Sequence, residues 1–174
     1  MKLPKTKKVL ALAAVMVAAT GGTAMAVLYP SNGGAQLQMI DVAQDAMTTT
    51  STMTWRDVPT ATTTVTLGAN ELINARFTAE SECDGDVPPA SMCNVRIVAQ
   101  QGAAAPIELN PPSGTDFAFD SVPRNGDDYK EAHAMERSMR LNPGTYTIRV
   151  QYRVSYPGTV FNVDDWHLAV ETSV

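Results

Sequence analysis

The chain has 174 residues, with 18 acidic side chains against 13 basic ones, a formal charge of −5, 11 glycines, 11 prolines and two cysteines. Four of the basic residues (Lys2, Lys5, Lys7 and Lys8) lie at the extreme N-terminus, so the chain beyond them carries a charge of about −9 and has no basic run. Such an acidic surface repels nucleic acid and anionic lipid, and a nucleic-acid-binding role is set aside on that ground.

The four lysines precede an uncharged apolar run from Val9 to Ala19, followed by a small-residue tail ending Thr23-Ala24-Met25-Ala26. A charged head, a short apolar run and alanines at the two inspected positions are the layout of a secretory signal peptide cut after Ala26. The apolar run falls well short of the roughly 20 residues of a bilayer span. A Lys-Lys pair in place of Arg-Arg points to the general export route. The expected organisation is a signal peptide over 1–26, a loose mature N-terminus over 27–35, and one domain over 36–174. The product is expected to be secreted, with no membrane span after cleavage.

Beyond the leader, period-2 alternation predicts strands. A first candidate covers Gln36 to Ala43, and Met53 and Trp55 are expected to face a core. Thr63, Val65 and Leu67 precede Gly68, and then Ile73, Ala75, Phe77 and Ala79 alternate with Asn74, Arg76, Thr78 and Glu80. Cys93, Val95, Ile97 and Ala99 form another apolar row, and Phe117 with Phe119 a short one. The Pro- and Gly-containing stretches from Ala103 to Gly114 and from Val122 to Asp128 read as loops. Residues 129–140 are made of good helix formers. Met135, Met139 and Leu141 nevertheless alternate into a Pro-Gly turn, so a strand forming a hairpin with its successor is preferred to a helix. That successor, Thr145 to Val154, alternates most regularly, with Tyr146, Ile148, Val150, Tyr152 and Val154 on one face. Trp166, Leu168 and Val170 close the chain.

Short strands with regular turn signals and no second period give an all-β fold, an antiparallel β-sandwich, with a jelly roll preferred to an immunoglobulin-like winding. Cys83 and Cys93 follow the export signal into an oxidising compartment and are expected to form a disulfide at the base of a loop between two hairpin strands.

Four phrases resemble a group of secreted actinobacterial β-sandwich proteins that have no assigned function: Phe77 to Cys83, Cys93 to Ile97, Asp116 to Ser121 and Pro143 to Tyr146. The last also resembles the closing hairpin of jelly rolls of the complement C1q and tumour-necrosis-factor type. The resemblance implies an extracellular sandwich able to self-assemble, and carries over no catalytic residue.

Chemistry is sparse. His133 and His167 lack a nucleophile elbow, so no catalytic residue is assigned. Glu80, Glu82, Asp84 and Asp86 surround Cys83 as a calcium candidate, yet they miss the twelve-residue loop spacing and read as a solvated loop, leaving no cofactor expected. Arg76, Arg96, Arg149 and Arg153 point outward from strands, and pairing with Glu80, Glu171 and similar carboxylates is preferred to a basic stripe. If a ligand surface exists, Arg149, Arg153, Tyr129 and Tyr156 are its candidates; Phe161 is expected in a loop. The function expected is a secreted, non-enzymatic binding module for an extracellular protein or glycan. The alternatives are a secreted hydrolase with an unrecognised site, or a structural jelly roll forming homo-oligomers.

Overall fold

Alternation becomes strand along most of the chain. The computed structural model describes residues 18–19, 22–30, 36–85, 91–114, 117–123 and 129–173, with side chains from Met39 onward. Its strands are β1 (Ala18–Ala19), β2 (Gly22–Pro30), β3 (Gln36–Gln44), β4 (Thr48–Thr50), β5 (Arg56–Leu67) and β6 (Glu71–Asp84). They continue with β7 (Met92–Gln100), β8 (Ile107–Glu108), β9 (Asp120–Ser121), β10 (Glu131–Leu141), β11 (Gly144–Val154) and β12 (Val160–Ser173).

These strands form an antiparallel β-sandwich. The first sheet has the order β1-β2-β3-β12-β6-β10, with β4 beside β12. The second has the order β5-β11-β7-β8, with β9 beside β7. Residues 129–140 do extend into a strand, β10, because Met135, Leu141 and the half-buried Met139 line its inner face. Its partner is not the expected one. β10 pairs with β6, from Glu131 opposite Ser81 to Leu141 opposite Glu71, while β11 lies in the other sheet between β5 and β7. Asn142 and Pro143 therefore cross between sheets. Gly144 enters β11 at φ 151°, where a Cβ would run into the Gln101 side chain.

Side chains from both inner faces fill the core. Trp166, Phe77 and Phe161 are fully buried, each contributing about 2–3 kcal/mol of hydrophobic stabilisation. Phe161, expected in a loop, belongs to β12 and stacks 6.2 Å from Tyr152. It can face the same core as Trp166 because β12 bulges between Asp164 and His167, with Asp165 at φ 44° absorbing the extra residue. A second irregularity sits opposite the step from Arg149 to Gln151, where β5 carries Thr60 at φ 62° and resets its inner row from Val58 to Ala61.

Two expectations give way here. Met53 is half exposed, and Trp55 lies before β5 and is covered by arginines rather than by core, because the segment from Ser51 to Trp55 is not strand. Phe117 and Phe119 also lie outside any strand; the local pairing starts at Asp120, opposite Cys93. At the N-terminus, β2 takes in Val27–Pro30 and crosses the Ala26–Val27 bond, pairing with β3 from Thr23 opposite Ala43 to Pro30 opposite Gln36.

The Cys83–Cys93 disulfide is present, with Cα atoms 5.8 Å apart. The expected hairpin is absent, since β6 and β7 belong to different sheets. The bond is instead a staple between the two layers, both cysteines being buried.

Candidate functional site

The inner row of β6 continues past Phe77 and Ala79 to Ser81 and Cys83, so a hydroxyl stands in an otherwise apolar stripe. Opposite it on β10, the inner positions at that end are Glu131 and His133. From the other sheet, the segment around β9 is pinned against β7 by Phe119 N–H to Cys93 C=O at 2.9 Å and Val122 N–H to Ser91 C=O at 2.9 Å. This pinning brings Asp120 to the same place, 39 residues from Ser81 in sequence.

Together these elements border a cavity of about 530 Å³, within the range of small-ligand sites. Phe119 and Cys83 supply its apolar wall, Asp120, Glu131 and His133 its polar one, and Tyr129, 67% exposed, its rim. The Phe119 ring leads from core to cavity, 5.9 Å from Phe77 and 5.6 Å from the imidazole of His133. Ser81 lies behind the wall, 1% exposed. Its hydroxyl donates to Asp120 Oδ2 at 2.8 Å and lies 3.0 Å from His133 Nδ1. Asp120 Oδ1 accepts the Ser121 N–H at 2.7 Å. On the other side of the ring, His133 Nε2 is 3.8 Å from Glu131 Oε2.

A serine, a histidine and an aspartate thus meet, but not in the order that makes a nucleophile. In a serine hydrolase the hydroxyl proton goes to the imidazole, and the carboxylate holds the far nitrogen. Here the hydroxyl proton goes to the carboxylate, and the serine is buried. Sequence reading passed over both Ser81 and Asp120; the signal available was the polar residue in the apolar row of β6.

Apart from Glu82, the other candidates fall elsewhere. His167 sits on the outer row of β12 with Nε2 3.1 Å from Asp41 Oδ1 on β3, and no hydroxyl is hydrogen-bonded to it among the described residues. Glu80, Glu82 and Asp84 share the outer row of β6, where Glu82 accepts from Asn162 at 2.9 Å and also borders the cavity; Asp86 lies outside the described residues. No group of three ligating side chains is poised for a metal among the described residues. Lys130 turns away from the cavity to Asp164 at 2.7 Å, and this hydrogen bond raises the lysine pKa and lowers that of the aspartate. Tyr156 is exposed in the turn after β11.

Arg149, Arg153 and Arg96 do come together, on the outer face of the second sheet, while Arg76 is on the first. Two of them pair with carboxylates as expected in kind, with Asp57 and Glu108 in place of Glu80 and Glu171. Arg149 donates to Asp57 at 2.9 Å and to Gln100, and Arg96 donates through Nε to Gln151 at 2.8 Å. Gln151 in turn donates to Asp57 at 2.7 Å. Arg96 and Arg153 lie 4.5 and 4.4 Å from the ring centre of Trp55. Burial lowers the pKa of the Arg96 guanidinium, and Glu108, 3.5 Å away, opposes that shift.

No helix among the described residues is long and apolar enough to cross a membrane. No family model and no curated protein matches the chain. Solved structures similar to it include the dimeric latent PorU of Porphyromonas gingivalis, at 15% identity and a TM-score of 0.37 over 75% of this chain; the match spans only 13% of the PorU chain. TmCBM61, solved with β-1,4-galactotriose, is similar at 10% identity and a TM-score of 0.31, over 83% of this chain and 86% of its own. The CBM22-1 xylan-binding domain of Paenibacillus barcinonensis Xyn10C gives 10% identity and a TM-score of 0.36, over 85% of this chain and 84% of its own.

Proposed function

We propose that the protein is an exported, non-enzymatic binding module that holds part of an extracellular protein or glycan in the cavity between β6, β9 and β10. The observation that carries this reading is the wiring of Ser81. Its hydroxyl proton is committed to Asp120, so the one serine beside a histidine and a carboxylate among the described residues is spent on fixing the cavity wall. What remains facing the cavity is an aromatic rim and polar acceptors, which suit holding a ligand.

Export is supported by the leader pattern over 1–26 and by the buried disulfide, a bond that persists in oxidising compartments. The jelly-roll winding is supported by the pairing of eight strands. β3 lies beside β12, β5 beside β11, β6 beside β10 and β7 beside β8, first with last inward to the middle, as in one long hairpin wrapped into two sheets.

The hydrolase alternative draws on a specific observation too, the proximity of Ser81, His133 and Asp120. His133→Ala separates the two. Under the binding reading the native protein shows no turnover in a screen of sugars, esters and peptides, and the variant loses only ligand binding. Turnover of a defined substrate by the native protein, lost in His133→Ala with the fold intact by circular dichroism, refutes the binding reading. N-terminal sequencing of protein from the culture medium tests export: a start at Val27 is expected, and full-length chain held in the membrane speaks against it.

A further inference from the structure

The cavity's hydrogen-bond polarity can be worked out atom by atom. An ionised carboxylate only accepts, so the 2.8 Å bond to Asp120 takes the single proton of Ser81. The 3.0 Å contact between Ser81 Oγ and His133 Nδ1 must then run the other way, with Nδ1–H donating to the hydroxyl oxygen. In the neutral ring this leaves Nε2 without a proton. With the ring neutral, that atom and Glu131 Oε2, 3.8 Å apart, are two acceptors with no donor between them among the described residues. Among the described residues no arginine or lysine borders the cavity. The side-chain donors left at the wall are the hydroxyls of Ser121 and Tyr129.

A wall of this kind matches a ligand that donates and does not accept. Resting on the reading of the cavity as a ligand site, we propose that it takes an organic cation, an alkylammonium or guanidinium group. The cation's N–H donors go to His133 Nε2 and the Glu131 carboxylate, while the Tyr129 ring stands at the rim. Charge-assisted bonds to a carboxylate are about twice as strong as neutral ones, and an aromatic face adds to them. The acidic chain as a whole also raises the local concentration of cations. A neutral sugar fits less well, because each hydroxyl that accepts would need a donor that the wall lacks. The cation can come from a free polyamine or from a lysine or arginine side chain of a polypeptide.

Calorimetry and NMR on the purified full protein distinguish these sources. The probes are spermidine, an acetylated and amidated tri-lysine peptide, and neutral maltotriose. An amine probe should shift the Tyr129 and His133 resonances, bind less tightly as salt rises, and lose at least about tenfold in affinity in Glu131→Gln. The surface control Glu171→Gln should leave its affinity unchanged. Tighter binding of the peptide than of spermidine assigns a polypeptide source, and the reverse assigns a free polyamine. Ring ¹⁵N shifts should report the Nδ1–H tautomer of His133. Equal amine affinity in wild type and Glu131→Gln overturns the proposal, as does an Nε2–H tautomer. If maltotriose alone shifts Tyr129 and His133, the cation falls and the ligand site stands. If no probe shifts them, the cavity is not a ligand site and both readings fall.

Discussion

The outer face of the second sheet and the cavity at the disulfide end use the same kinds of side chain, yet they match donors to acceptors differently. On the outer face, Arg149 and Gln151 converge on Asp57, Arg96 reaches Gln151 and Glu108, and Arg96 and Arg153 cover Trp55. Guanidinium groups there meet carboxylate, amide or ring, although the buried Nε atoms of Arg149 and Arg153 have no hydrogen-bond partner among the described residues. In the cavity, the proposed wiring sets Glu131 and His133 Nε2 face to face as acceptors, and no basic side chain among the described residues answers them. A matched set of charges is spent on the fold; an unmatched one is left for something from outside.

The largest test of this contrast removes the staple behind the cavity. Replacing Cys83 and Cys93 together by serine should destabilise the protein by roughly 2–3 kcal/mol for a loop of this length, measured by denaturant unfolding, and should also weaken ligand binding, since Cys83 borders the cavity. Unchanged binding in the folded variant would show that the wall does not need the bond.

Trp55→Ala addresses the other region. Losing two guanidinium contacts should cost about 1–2 kcal/mol of stability and leave cavity binding intact. A loss of binding without loss of stability would move the functional surface to the second sheet.

The paired substitutions Asp57→Asn and Glu131→Gln sharpen the comparison. Asp57→Asn weakens the carboxylate shared by Arg149 and Gln151 and should cost about 0.5–1 kcal/mol. Glu131→Gln removes a charge with no basic partner at the cavity wall, so thermal unfolding should show no loss of stability.

The smallest effect is at Lys130 and Asp164, an exposed pair. The aspartate pKa is lowered by the hydrogen bond from the lysine, so its contribution is present above the unfolded aspartate pKa and is lost as pH falls through the folded value. The lysine pKa is raised, so its contribution holds below the unfolded lysine pKa and is lost as pH rises through the folded value. A small difference in Tm between wild type and Asp164→Asn should therefore appear near neutral pH and vanish in strong acid.

Strands were legible wherever one face is buried and the other wet, as in β6, β10 and β11, because alternation is imposed by the pleat itself. Pairing was not. Nothing in the residues from Tyr129 to Val154 tells whether two consecutive strands share a sheet, and here β10 and β11 do not. The same gap left the Cys83–Cys93 bond legible as a pair and illegible as a link between layers. Trp55 misled because an aromatic residue reads as core, whereas a guanidinium can cover it as well as leucine can. The site was hidden for a further reason: Asp120 belongs to a two-residue strand, too short for any period to mark it.

Ser81 never reaches the cavity surface, yet in the proposed wiring it sets which nitrogen of His133 holds the proton. A survey confined to exposed positions would miss it, and so would a search for residues that touch ligand. With alanine at position 81 the imidazole loses its anchor, and a ring turn would let it present a donor where it now presents an acceptor. On the proposed reading, selectivity is thus heritable through the interior, and a drift in ligand preference begins at a site that no ligand contacts.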